Sequence, residues 1–147
     1  MTCEAVNILT APPRVEIPMP TTVLVTGAAG TVGSEVVRHL AGAPDVIVHA
    51  GMHEPNLASR VPPGMRVVPL DFTSESVMHA ACRGADRLFL LTPTDPRQVE
   101  FGRTAIHAAR DGGVQHIVRL PVAGAEQEPG IQLARWHRAV EQAIEDS

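Results

Sequence analysis

The 147-residue sequence contains no tyrosine and no lysine, and all twelve of its basic residues are arginine. Carbonyl reduction that exchanges a proton through a tyrosine phenol is therefore excluded. Cysteine is nearly absent too. Cys3 and Cys82 form no CxxC pair and no disulfide framework, which points to a reducing, cytoplasmic setting. No apolar run approaches the roughly 20 residues of a membrane helix, and Leu88-Phe-Leu-Leu91 is only strand-sized. The first residues carry Glu4 and scattered prolines where a signal peptide needs a basic start and an apolar run. A net charge of −4 gives no electrostatic ground for a nucleic-acid partner. What remains, 44% hydrophobic and 19% charged, is ordinary for one globular domain with a real core.

The richest stretch runs from Thr22 to Leu40. Val23-Leu24-Val25 leads into Gly27, Gly30 and Gly33, and behind them Val32, Val36, Val37 and Leu40 recur at helical spacing. This reads as a strand, a tight turn and a helix start. Gly27 allows the turn, Gly30 lets backbone approach a phosphate, and Gly33 permits close packing of the helix. The free N–H groups and dipole of the helix's first turn favour an anion there. A glycine-rich βα turn can also be ligand-free, but its place between a strand and an amphipathic helix favours a dinucleotide.

Strands then alternate with helices. Residues 1–20, with Pro12, Pro13, Pro18 and Pro20, read as a flexible lead-in, and 21–147 as the domain. Strands are expected over about 22–26, 45–50, 66–70, 87–91 and 115–120. Helices are expected over about 31–42, 73–82, 95–110 and 131–144, the first closed by Gly42 and Pro44. Pro69 suggests a place where a ladder hydrogen bond is dispensable. The last helix carries Leu133, Trp136, Val140 and Ile144, with Trp136 read as core. The alternation predicts a Rossmann-like, doubly wound parallel sheet in the order 3-2-1-4-5.

In such sheets the ligand lies beyond the carboxyl ends of the strands. About 20 residues past Gly33, where the ribose is read, stand His53 and Glu54. A carboxylate there favours NAD and a cation favours NADP, so the pair leaves the choice open. Asp71 and Phe72, after the third strand, can flank an adenine. Leu91, Thr92 and Pro93, after the fourth, can border the nicotinamide ribose. The candidate cofactor residues are thus Gly27, Ala29, Gly30, Thr31, Val32, Gly33, His53, Asp71, Phe72, Leu91, Thr92 and Pro93. His49 and His53 are four apart, but on a strand and its exit, which does not make a metal site.

Five segments in order, TGAAGTVG, LDF, LFLLTP, DPRQVEFGRTAIHAARDGGVQHIVRL and LARWHRAVEQAIEDS, resemble the NmrA-like group of atypical short-chain dehydrogenases. The likeness covers about residues 21–147 and leans toward NAD(P)H:quinone and azo-dye reductases. It implies NAD or NADP as cofactor and hydride transfer to a quinone-like or other small acceptor. It also implies that this chain corresponds to the cofactor half, lacking most of the C-terminal substrate region. An unpaired sheet edge would then favour a homodimer. The family often places an NADP-selecting arginine where this chain has His53. Pro121 stands where typical short-chain dehydrogenases have their serine, and their tyrosine and lysine are missing, a loss common among NmrA-like proteins. His137, near the vacated lysine position, is the one polar substitute, able to give a proton or hydrogen bond to a quinone or ribose oxygen. Its simpler reading is a solvent-facing histidine paired with Glu141. A second function stays open alongside the reductase: a non-catalytic NAD(P)-sensing regulator.

Overall fold

Alternation of side chains along the central strand, β1 (Thr21–Val25), organises the molecule. The computed structural model describes residues 19–120 and 132–147. Val23 and Val25 face one side of the sheet with Val37, Val48, Ala50 and Met52. Leu24 faces the other with Met78, Leu88, Leu90, Ile106 and Val140. Helix α1 (Thr31–Leu40) covers the first side, while α2 (Glu75–Cys82), α3 (Gln98–Asp111) and α4 (Gln132–Glu145) supply the second. Strands β2 (Val46–Met52), β3 (Arg66–Pro69), β4 (Arg87–Leu90) and β5 (His116–Arg119) complete the sheet.

All four pairings are parallel and the order is 3-2-1-4-5, as the sequence predicts. Pro69 ends β3, an edge strand, so its missing N–H costs the ladder little. β1 and β4 are cross-braced at their start, where the Thr22 N–H donates to the Asp86 carboxylate at 2.7 Å.

Several boundaries differ from the sequence reading, each for a local reason. β2 runs to Met52 rather than 50, because Gly51 and Met52 continue the ladder opposite Val68 and Pro69. Helix α1 stops at Leu40, two residues short of the expected end. α2 starts at Glu75, since the Ser74 hydroxyl caps it by accepting from the Val77 N–H. α3 starts at Gln98, because the Asp95 carboxylate takes the Arg97 N–H in a turn of its own. A 3-10 turn over Pro55–Arg60 is an element that no sequence periodicity predicts. Trp136 is only half-buried and belongs to neither core cluster. Val140 occupies the innermost position of α4 instead, seated on Gly102 of α3. The expected lead-in and Pro121 lie almost wholly outside the described residues.

Candidate functional site

The turn after β1 is built from backbone. Gly27 has φ +64°, a left-handed conformation that a side chain would strain. A Cβ on Gly33 would collide with the Gly27 carbonyl oxygen, so the first turn of α1 closes directly on the glycine loop. The close approach is therefore helix to turn rather than helix to sheet. A Cβ on Gly30, at the N-cap, would meet the same oxygen at 3.2 Å. No acidic side chain occupies the first turn of α1 and no side chain caps it. Its N–H groups and dipole thus face outward uncompensated by a carboxylate, which is an anion cradle.

Around this cradle the carboxyl ends of β1, β2, β3 and β4 line a half-open cavity of about 600 Å³. Gly27, Gly30, Thr31, Val32 and Gly33 form its floor. His53, Asp71 and Phe72 form one wall, and Leu91, Thr92 and Pro93 another. Ala29, the remaining expected residue, is not in the wall; it packs on the core cluster beneath the turn. Glu54 is absent from the lining as well, so of the pair after β2 His53 is the one that faces the cavity.

The polar groups are held by short local bonds. His53 donates from Nδ1 to the Leu70 carbonyl at 3.1 Å, which leaves Nε2 as the nitrogen free to meet a ligand. Asp71 accepts from the Thr73 N–H and hydroxyl at 2.8 and 2.6 Å, and these bonds hold its carboxyl below the usual carboxylate range. Phe72 stacks on Phe101 with centroids 5.8 Å apart, and the Arg97 guanidinium lies 4.9 Å over the Phe101 ring. Arg97 is in turn bonded to Asp95, whose carboxyl is likewise held low. An anion cradle thus adjoins an aromatic, mostly apolar chamber.

Two residues that sequence reasoning missed position the far wall. Thr26, fully buried, donates its hydroxyl to the Leu91 carbonyl at 2.8 Å and accepts from the Leu91 N–H at 2.7 Å. This clasp fixes where the chain leaves β4. Gln98, 2% exposed, donates to the Thr92 hydroxyl at 3.1 Å and lies 3.2 Å from His137 Nε2. A threonine directly before the glycine turn was the available signal for Thr26. No sequence signal marks Gln98, whose partner is 39 positions away.

His137 is not in the cavity lining. It is half-buried between α4 and α3, not solvent-facing, and its neighbour is Gln98 rather than Glu141. Glu141 pairs with Arg119 and Arg138 instead. Burial, and secondarily the Arg119 cation, lower the His137 pKa. His49 is buried within β2, away from His53.

Comparison with known proteins matches residues 27–147 to the family described as NAD(P)H-binding. An NAD(P)H azoreductase of Xenophilus azovorans is 33% identical over 128 residues, covering 85% of this chain and 44% of that protein. The crystal structure of a Citrobacter sp. triphenylmethane reductase complexed with NADP(H) superposes with a TM-score of 0.74 at 30% identity. It covers 84% of this chain and 45% of the reductase. An NADPH-dependent quinone oxidoreductase from Escherichia coli, complexed with NADPH, gives 0.77 at 26% identity, covering 84% and 44%. The chain therefore spans rather less than half the length of these relatives.

Proposed function

Because this chain belongs to the NAD(P)H-binding family, in its NmrA-like reductase group, we propose that its cavity holds the dinucleotide of an NAD(P)H-dependent reductase acting on a quinone-like, azo or other small acceptor. The observation that carries the reading is the glycine turn, where a side chain at Gly33 would strike the Gly27 carbonyl. Such a turn keeps backbone N–H groups bare at a helix N-terminus, as a pyrophosphate requires. Gly30, Thr31, Val32 and Gly33 would hold the pyrophosphate, His53 would meet the adenosine ribose, and Asp71 and Phe72 the adenine. Leu91, Thr92 and Pro93 would border the nicotinamide end. Bound there, the cofactor would supply the hydride, and the protein position and an apolar wall.

His137 acts in this reading through Gln98, since neither distance nor lining brings it to the cavity. The described tip of β5 leaves Val118 and Leu120 about half exposed, and it is the surface through which a homodimer would form. The sparse cysteine and the buried free thiol of Cys82 suit a cytoplasmic setting. The test is calorimetric. NADH or NADPH should bind the wild type, and a folded Gly30→Val protein should bind neither, because a branched side chain fills the phosphate's place. Unchanged affinity in Gly30→Val would sink the assignment. Oxidation of NAD(P)H with a panel of quinones and azo dyes then separates a reductase from a dinucleotide sensor, which binds without turnover.

A further inference from the structure

The Gln98 amide touches two side chains with the same nitrogen. One of its hydrogens reaches the Thr92 hydroxyl, a wall residue of the cavity, at 3.1 Å. The other points to His137 Nε2 at 3.2 Å. With the amide so turned, Nε2 accepts and carries no proton, which puts the proton of neutral His137 on Nδ1; among the described residues neither that nitrogen nor Gln98 Oε1 has a hydrogen-bond partner. Thr92 Oγ1, having accepted from the amide, keeps its own hydrogen to give elsewhere. We propose that Gln98, held by His137, is a specificity-determining positioning residue that makes the Thr92 hydroxyl a donor into the cavity and so favours a ligand presenting a lone pair there. This rests on the cavity's being the dinucleotide site.

The same three side chains have a second arrangement of opposite sense. If Nε2 carries the proton, in the other neutral tautomer or in the cation, it becomes a donor and the amide must turn over to present Oε1 to it. Thr92 then donates to that oxygen, and its hydroxyl shows the cavity only lone pairs. Among the described residues Arg119 opposes the protonated ring, and Glu141 partly neutralises Arg119. Arg119 of β5 donates from Nη1 to the His137 carbonyl at 3.1 Å. Glu141 lies 3.9 Å from Arg119 Nη1 and is shared with Arg138 at 3.8 Å. Arg119, only 5% exposed in its side chain, is thus a buried cation bonded to the helix turn that carries the ring. Burial and that cation disfavour the imidazolium and leave the ring neutral.

The test uses NADPH as probe, with fluorescence titration of wild type, Thr92→Val, Gln98→Glu and the double variant. Gln98→Glu offers only oxygens, so it forces Thr92 to donate away from the cavity. Each single variant should bind NADPH roughly tenfold more weakly, the effect of one hydrogen bond, and the double variant no more weakly than Thr92→Val alone. Wild-type affinity should fall as pH is lowered through the His137 titration, and the Thr92→Val profile should be flat across that range. Nitrogen-15 NMR of labelled histidine, assigned with His137→Asn, should show His137 Nε2 unprotonated. Gly30→Val serves as the control. If it abolishes binding while Thr92→Val and Gln98→Glu bind like wild type, the positioning role fails and the site stands. If Gly30→Val itself binds normally, the site fails. Should Gln98→Glu not fold, a protonated Nε2 in the wild type at neutral pH overturns the proposal on its own.

Discussion

His53 turns only one nitrogen toward the cavity, because Nδ1 is committed to the Leu70 carbonyl. With Nδ1 so anchored only Nε2 is left to meet a ligand, so on the proposed reading the wild-type protein should discriminate weakly between the two cofactors. His53→Arg should raise NADPH affinity by about 1–2 kcal/mol through a charge-assisted hydrogen bond while leaving NADH nearly unchanged. Titration of both cofactors against both proteins decides it, and a constant ratio would show that residue 53 does not meet the ribose. Gly33→Ala should lower the melting temperature and remove binding together, since its Cβ has nowhere to go but into the turn. Cys82 gives a pH signature. Burial pushes its thiol up to about 11, above its unfolded value, so the fold excludes the thiolate. The stability it contributes is complete below the unfolded pKa and is lost as pH rises toward 11, roughly 3 kcal/mol in all. Denaturant melts at pH 8, 9.5 and 11 should show that decline, and Cys82→Ala should flatten it. What was legible was backbone geometry and position after a strand, as in the left-handed turn at Gly27 and the place of His53 in the cavity wall. Thr26 and Gln98 escaped because a buried hydroxyl or amide looks in sequence like any polar residue. Their roles come from partners 65 and 39 positions away.

Helix α4 meets α3 where Gly102 lies under Val140, and a Cβ on Gly102 would come within 2.7 and 2.8 Å of both Val140 methyls. Gly102→Ala gains roughly 1 kcal/mol of helix propensity, but a clash costing about 1–3 kcal/mol should outweigh that gain. Val140→Ala costs stability alone, yet combined with Gly102→Ala it should cost less than the sum. A double-mutant cycle by chemical denaturation measures this, and simple additivity would mean that the helices do not touch at that point. At this scale the sequence was read well wherever periodicity and glycine punctuation agreed, which is why five strands and four helices fell in the expected order. It was read less well at ends set by side chains, such as the Ser74 cap and the Asp95 turn. Trp136 was misassigned because helical spacing identifies an apolar face but not which residue on it is innermost. Gly102, invisible as a packing signal, decided that.

For the molecule as a whole, the edge strand β5 presents half-exposed Val118 and Leu120. If copies associate through it, Val118→Lys should shift the light-scattering mass toward the monomer, and an unchanged mass would place any dimer contact elsewhere. The strand order itself has a consequence in time. The glycine cradle is local and needs only residues 21–40, whereas the opposite wall is attached through Thr26 to Leu91, 65 residues on. Closing that span carries the entropic cost of a long loop, so the wall joins only when β4 docks on β1. A half-formed cradle therefore has no chamber, and a molecule occupying both sides binds the finished fold alone. By mass action its free energy would be added to global unfolding rather than to any local opening. Amide hydrogens of β1 and β4 would then slow their exchange in step, and the cofactor would act as the last strand-pairing contact of the folding reaction.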